Sequence, residues 1–216
     1  MSTTVRRRAG LGDRMKRCFV AALAAFLVPP AVALTPVGDF KVEGYLATWY
    51  EIASIRGFLQ SKCARDTRTE YSPAENGALM LESRCLRADG TPERSEARAR
   101  LLDPALPSVL KITGVHLLGI WWYPFGRESI VVGRGPDSRW LAVGHPSLRY
   151  ARLLAREPML SDADLAGAAA VLSEAQFDLC AVVLTLQSGG RQQPARLCEV
   201  VRAKALTPLP APAALK

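Results

Sequence analysis

The sequence predicts an all-β domain of eight short strands, followed by one helix and one more strand. Short segments of strand-like composition alternate with clusters of Gly, Pro, Asn and Asp, which is typical of antiparallel sheets. Asn76-Gly77 lies between two such segments and is a strong hairpin signal. The eight predicted strands cover residues 48–54, 65–72, 78–87, 94–102, 108–115, 129–134, 140–144 and 150–155.

The apolar period changes after the eighth strand. Ser161, with Asp164 three residues later, has the pattern of a helix N-cap. Apolar residues then recur at helical spacing through residues 163–176, namely Leu165, Ala168, Ala169 and Leu172. Residues 179–186 are the predicted last strand.

The first 33 residues have the pattern of a signal peptide. Six basic residues precede or adjoin an apolar run of 11 residues, 18–28, which is too short to span a bilayer. Ala31-Val32-Ala33 is a small-x-small cleavage site. Met15 is an alternative start, and an uncleaved anchor is the alternative to cleavage. Residues 34–188 are then the predicted domain, and 189–216 a flexible Pro/Ala-rich tail.

The charge balance argues against nucleic acid as a partner. The whole chain carries a net charge of +8, but residues 1–33 hold six of the 28 basic and one of the 20 acidic residues. The remainder has 22 basic and 19 acidic residues, a net charge of +3. That is an ordinary surface balance without a basic stripe.

Four cysteines remain after residue 33, and an even number in an exported chain favours disulfides. Cys63 and Cys85 lie close to opposite each other on one predicted hairpin, so they are the preferred pair among three connectivities. Cys180 and Cys198 would then tie the tail to the last strand. No Cys or His spacing indicates zinc, and no cofactor is expected.

Residues 45–53 resemble the first conserved motif of the lipocalins. Trp49 and the following Tyr-Glu-Ile-Ala match it, although Ala47 stands where the family usually has Gly. Residues 153–158 are similar to the third motif, with Arg156 as its arginine, whereas residues 134–139 keep the second motif poorly. The resemblance to bacterial outer-membrane lipocalins and apolipoprotein D covers residues 39–187. It implies an eight-stranded up-and-down antiparallel barrel, with Trp49 at the closed end and Arg156 stacked across it.

The resemblance also bears on location and partners. Many bacterial lipocalins are lipidated on a cysteine that follows a Leu-Ala-Gly-like box. The one early cysteine, Cys18, follows Arg-Met-Lys-Arg instead. We therefore expect an exported protein, periplasmic or associated with the outer membrane, without a lipid anchor. Peripheral membrane association and a homodimer are compatible with the resemblance.

The resemblance implies binding, storage or transport of a small hydrophobic ligand, such as a fatty acid or a lysophospholipid, inside the barrel. It also implies a role in maintenance of the cell envelope. If Trp49 points inward, strand alternation places two residues of the first strand inside with it. Alternation also places three residues of the eighth strand on one face. The resemblance implies that two aromatic loops lie at the open end. The predicted ligand-binding residues are Glu51, Ala53, Phe58, Trp121, Trp122, Tyr150, Arg152 and Leu154.

Three points stay open from the sequence. Arg152 has three alternatives: it captures a ligand carboxylate, pairs with Glu51 inside the barrel, or faces water. Residues 119–125 line the mouth, pack as a hydrophobic corner, or present a partner surface. The protein is predicted not to be an enzyme; the enzymatic alternative would need a reactive thiol at Cys85.

Overall fold

Eight antiparallel strands close into a barrel in the computed structural model, which describes residues 33–55 and 62–205. Most of the predicted signal peptide, Phe58 and residues 206–216 lie outside the described residues. The strands are β1 (Ala47–Ser54), β2 (Arg65–Pro73), β3 (Leu79–Leu86), β4 (Pro92–Leu101), β5 (Val109–Thr113), β6 (His116–Leu117), β7 (Ile120–Trp121), β8 (Arg127–Arg134), β9 (Trp140–Gly144), β10 (Ala151–Ala155) and β11 (Val183–Leu184).

The barrel uses strands β1–β5 and β8–β10, each paired with the next along the chain. Pairing of β10 with β1 closes it, with Tyr50 opposite Ala155. The predicted bounds of these eight strands agree with the structure to within two residues. Asn76 and Gly77 form the turn between β2 and β3, both with positive φ, as the Asn-Gly signal predicts.

The barrel has a closed end, filled by side chains, and an open end. β1 begins at the closed end beside the 3₁₀ turn Val42–Gly44, and it ends at the open end. The closed end is filled by a packed apolar cluster. Its buried members are Phe40, Tyr45, Trp49, Tyr71, Leu79, Leu81, Ala99, Leu110, Val131, Leu141, Val143 and Leu154.

A second apolar cluster lies outside the barrel, between its wall and helix α1 (Asp162–Glu174). Ser161 caps this helix, accepting a hydrogen bond from the Asp164 backbone N–H at 3.1 Å, as predicted. The helix contributes Leu165, Ala168, Ala169 and Leu172, the residues whose spacing predicted it. The predicted strand at 179–186 is shorter in the structure, because a turn over residues 178–181 leaves β11 two residues long.

The sequence predicts a flexible tail from residue 189, apart from whatever Cys198 tethers, and the structure shows a helix in this tethered part. Helix α2 spans Leu197–Ala205, and Leu197 is fully buried in the outer apolar cluster. A disulfide between Cys180 and Cys198 holds the start of this helix. The second predicted disulfide, Cys63–Cys85, joins the start of the β2 segment to β3. No helix among the described residues is both long and apolar enough to cross a membrane.

Candidate functional site

The closed end is sealed by an aromatic ring and a cation, as the motif resemblance predicts. The guanidinium carbon of Arg156 lies 3.8 Å from the centre of the Trp49 ring. Nη2 of Arg156 donates a hydrogen bond to the carbonyl oxygen of Gly44 at 2.9 Å. The indole N–H of Trp49 donates to the backbone carbonyl oxygen of Tyr45 at 2.8 Å. A cation over an indole face is stabilising, so these residues form a structural plug.

The wall above the plug carries hydroxyl groups. Cross-strand partners share a face of the sheet, so Thr69 opposite Trp49 faces the interior. Thr69 is hydrogen-bonded at 2.8 Å to Ser83, which lies opposite Ser95 on β4. The interior is therefore apolar at its floor and polar toward its mouth.

A buried ion pair spans the inner wall between β1 and β10. Nε of Arg152 lies 3.2 Å from Oε2 of Glu51, and their side chains are 20% and 8% exposed. The two atoms are close enough for an ion pair but are not aligned as a hydrogen bond, and neither has a hydrogen-bond partner among the described residues. Of the three alternatives for Arg152, the structure shows the internal pair.

The carboxylate of Glu51 is anchored on its other side. Its Oε1 accepts hydrogen bonds from the hydroxyls of Ser54 and Thr185, both at 2.9 Å. Gln187 donates to the backbone carbonyl oxygens of Glu51 and Thr67, also at 2.9 Å, and so joins β1 to β2 where they diverge. The segment that follows α1 thus fixes the position of Glu51.

Arg152 stays charged in this setting. Burial opposes its charge, but interactions with Tyr150, Glu51 and Tyr71 outweigh burial and raise the pKa of Arg152 above its ordinary value. Its guanidinium carbon lies 5.4 Å from the centre of the Tyr150 ring. Burial also raises the pKa of Tyr71 to about 12, so this phenol is neutral at physiological pH.

The prediction that Ala53 faces the cavity is wrong. Glu51 lies opposite Leu154, but Ala53 lies opposite Leu153, so Ile52 is an extra residue in the ladder. This β-bulge shifts the alternation by one residue. Ala53 is fully buried in the outer cluster, and Ser54 takes the inward position opposite Arg152.

The other predicted ligand residues lie at two levels. Leu154 belongs to the apolar floor, whereas Tyr150 and Arg152 lie nearer the mouth. Trp121 stacks on His116 with 4.5 Å between ring centres, and Trp122 packs near Phe125 in the connection between β5 and β8 at the open end. The structure brings Glu51, Tyr150 and Arg152 together and places both tryptophans on the rim. Phe58 lies outside the described residues.

Sequence reasoning missed Ser54, Thr185 and Gln187. Ser54 could have been found only by recognising the bulge, and no local signal marks it. Thr185 and Gln187 follow the helix by sequence, so their contact with β1 depends on tertiary packing. The Cys63–Cys85 disulfide removes the free thiol that the enzymatic alternative needed. The described residues contain no cluster that could hold a metal ion.

Two cavities also lie on the outer surface. One, of about 470 Å³, lies between the start of α1 and β11 and includes Leu165, Leu184 and Arg191. The other, of about 800 Å³, crosses the outer face of β1–β4 and includes Arg68 and Arg84. Neither is lined by the Glu51–Arg152 pair.

Comparisons with known proteins agree with this geometry. The family model of the lipocalin-like domain matches residues 40–187. The outer membrane lipoprotein Blc of Escherichia coli is 28% identical over 183 residues, which cover 82% of this chain and 99% of that protein. Rat apolipoprotein D is 32% identical over 81 residues, 37% of this chain and 41% of that protein.

Solved structures show the same fold at lower sequence identity. Insecticyanin from the tobacco hornworm Manduca sexta superposes with a TM-score of 0.55 at 14% identity, covering 76% of this chain and 93% of that one. The match of the family model extends over more than half of the 216 residues. The chain therefore belongs to the lipocalin family.

Proposed function

We propose that the barrel binds and carries a small amphiphile with an anionic head, such as a fatty acid or a lysophospholipid. The observation that carries the proposal is the charged Arg152 on the inner wall, above an apolar floor and close to the open end. Membership of the lipocalin family and similarity to Blc and apolipoprotein D support a hydrophobic ligand in general.

The geometry supports an anionic head in particular. Oε1 of Glu51 is occupied by two hydroxyl donors, and Oε2 faces Nε of Arg152. The terminal amines of Arg152 make no hydrogen bond with the described residues, so they can donate to a carboxylate or a phosphate. Glu51 then holds the guanidinium in place, and the hydroxyls of Thr69, Ser83 and Ser95 offer further polar contacts.

The acyl chain supplies the affinity. Burial of about 15 methylenes at ~0.8 kcal/mol each yields ~12 kcal/mol before costs. Association and ordering cost several kcal/mol, which leaves micromolar or tighter binding. Leu154, Tyr150 and the rim residues Trp121 and Trp122 are the proposed contacts of the acyl chain, together with Phe58, which lies outside the described residues.

The setting that we propose is the bacterial envelope. Residues 1–33 have the pattern of an export signal, and the similar E. coli protein is named an outer membrane lipoprotein. We propose export to the periplasm or the outer membrane and a role in envelope maintenance. Cys18 does not supply a lipidation pattern, so membrane association would be peripheral, and a homodimer is compatible with this role.

Ligand titration tests the proposal. The purified, delipidated protein is titrated with a fluorescent long-chain fatty acid, which is then displaced by oleate, an oleoyl lysophospholipid or oleyl alcohol. We expect one saturable site of micromolar or tighter affinity. Absence of saturable binding to the folded protein would refute the carrier function.

Two variants test the role of the head group. Arg152→Gln should weaken oleate binding by about tenfold or more, because a hydrogen bond to a charged group is worth about 1.5–3 kcal/mol. Binding of oleyl alcohol should change less than about twofold. Arg149→Gln is the matched control, since Arg149 is exposed on the neighbouring loop. Equal weakening of both ligands by Arg152→Gln would show that Arg152 does not bind the head.

A further inference from the structure

A narrow apolar hairpin projects from the open end of the barrel. The mouth hairpin, residues 115–125, contains β6 and β7, which pair through His116 opposite Trp121 and Leu117 opposite Ile120. Its base is fixed by hydrogen bonds from the Trp122 N–H to the Val115 carbonyl oxygen at 2.9 Å, and from the Thr113 hydroxyl to the Trp122 carbonyl oxygen at 2.8 Å. The mouth hairpin, also called the finger below, is therefore held at the rim by a hydrogen-bonded base.

The finger presents apolar side chains to its surroundings. Leu118 is 88% exposed, and the exposed large hydrophobic residues around it are Val115, Leu117, Ile120, Trp122 and Phe125. Single exposed apolar residues are ordinary on protein surfaces. A contiguous group beyond roughly a few hundred Å² is unusual in a monomeric soluble protein and marks a protein or membrane contact.

Leu118 also occupies an unfavourable backbone conformation. Leu118 and Gly119 have φ of 53° and 77°, which is the two-residue turn that favours Asn-Gly, Asp-Gly or Gly-Gly. A bulky residue with positive φ is uncommon. The chain therefore places an exposed leucine at the tip where a polar residue would fold better, which points to a role for the apolar tip itself.

The charges around the finger fit an anionic lipid surface. Residues 112–127 contain no Asp or Glu. The guanidinium carbon of Arg100 lies 4.4 Å from the centre of the Tyr123 ring, Arg127 follows the segment, and Lys111 precedes it, opposite Glu128 on β8. Aliphatic tip residues, aromatic residues at the base and nearby cations are the arrangement found at membrane interfaces.

We propose that the mouth hairpin inserts its tip, Leu117–Ile120, into the interfacial layer of a lipid bilayer that carries anionic head groups. Docking through the finger turns the open end of the barrel toward the bilayer. A bilayer suits a convex two-residue tip, whereas a stable protein interface needs about 800 Å² of complementary surface on each partner. This deepens the envelope location in the proposed function, but docking requires no ligand in the barrel.

Vesicle flotation of the full chain tests the docking. The probes are vesicles of phosphatidylethanolamine with phosphatidylglycerol, compared with vesicles of phosphatidylcholine alone. Since residues 1–33 also contain an apolar run, every variant is compared in the same full chain. We expect binding to the anionic vesicles that weakens as salt is raised.

The variants separate docking from folding. Leu118→Asn with Ile120→Thr should lower the partition into anionic vesicles at least tenfold, while the favourable Asn-Gly turn keeps the hairpin folded. Met159→Gln is the control, because Met159 is 64% exposed outside the mouth hairpin and should leave partition unchanged. Quenching of tryptophan fluorescence by brominated lipid should occur in the parent protein and be lost in the double variant.

Three results would overturn the proposal. They are absence of vesicle binding in the full chain, an equal loss in the Met159→Gln control, and self-association that is lost with Leu118→Asn while vesicles remain unbound. The last result would assign the finger to a contact between copies of the chain. An unchanged fatty-acid affinity in the double variant would show that the barrel function stands by itself.

Discussion

Removal of one partner of the Glu51–Arg152 pair should destabilise the barrel about as much as removal of both. The pair lies at 3.2 Å on the inner wall, and the Glu51 carboxylate is the more buried partner. A buried charge without its counterion is costly, whereas replacing both partners by apolar groups of similar size is often nearly neutral.

The magnitudes follow from the burial of each group. Arg152→Met leaves a carboxylate that is 8% exposed and keeps only two hydroxyl donors, so a loss of about 3 kcal/mol is expected, at the low end of the usual range. Glu51→Leu leaves the guanidinium unpaired and two hydroxyls without their acceptor, and should also cost about 3 kcal/mol. The double variant should still lose about 2–3 kcal/mol, because no unpaired charge remains but the hydroxyls of Ser54 and Thr185 have lost their acceptor.

Urea denaturation followed by circular dichroism gives the free energy of unfolding of the four proteins. The predicted coupling energy, the excess of the two single losses over the double loss, is about 3–4 kcal/mol. Arg94→Met and Glu96→Leu form the control cycle, because their pair at 2.9 Å is exposed and should couple by less than about 1 kcal/mol. If the free-energy losses of the two single variants sum to the loss of the double variant within about 0.5 kcal/mol, the two charges do not stabilise each other.

Further expected outcomes concern stability. Arg156→Ala should lower the free energy of unfolding, measured by urea denaturation, by about 2–4 kcal/mol, because a cation–π contact and hydrogen bonds to two carbonyl oxygens are lost. Arg156→Lys should restore only part of this stability. Replacing Cys180 and Cys198 by Ala should cost about 3 kcal/mol in the same assay, the value for closing a loop of this size. Burial acts to raise the pKa of Asp66, but hydrogen bonds from Ser188 and the charge of Arg65 hold it below its ordinary value. The stabilisation from Asp66 should therefore be present above about pH 4 and be lost as the pH falls through the lowered pKa, a loss that thermal melts of Asp66→Asn should not show.

Much of the fold follows from local patterns in the sequence. Strand and turn composition predicts the eight barrel strands, and the spacing of Leu165 and Leu172 with the cap at Ser161 predicts α1. The hairpin brings Cys63 and Cys85 near each other, because Arg65 lies opposite Leu86 at the open end of the β2–β3 pair, next to both cysteines. Each of these features depends on residues that lie near one another in the chain.

The candidate site was less predictable because it depends on irregular and long-range structure. Alternation predicted the inward setting of Glu51 and Arg152, but a single extra residue at Ile52 turned Ala53 outward and Ser54 inward. The contact of Thr185 with Glu51 joins residues 134 positions apart, which no local pattern reports.

The helix α2 was hidden by the composition of the tail. Pro and Ala dominate the segment after residue 205. This composition favours a flexible chain, so no helix was predicted anywhere in the tail. The signal was present at Leu197, Val200 and Val201, whose spacing of three and four residues is that of one helix face. Burial of Leu197 and Val200 against the outer cluster is the reason that this segment folds.

The central claim, that the barrel holds an amphiphile whose anionic head binds Arg152, is tested most directly by a crystal structure of the delipidated protein with bound oleate. We predict that the acyl chain lies inside the barrel and that the carboxylate lies within hydrogen-bond distance, about 2.7–3.0 Å, of the terminal amines of Arg152, with Glu51 still in place. Oleate in the outer cavity between α1 and β11, or in the barrel with its carboxylate away from Arg152, would contradict the account.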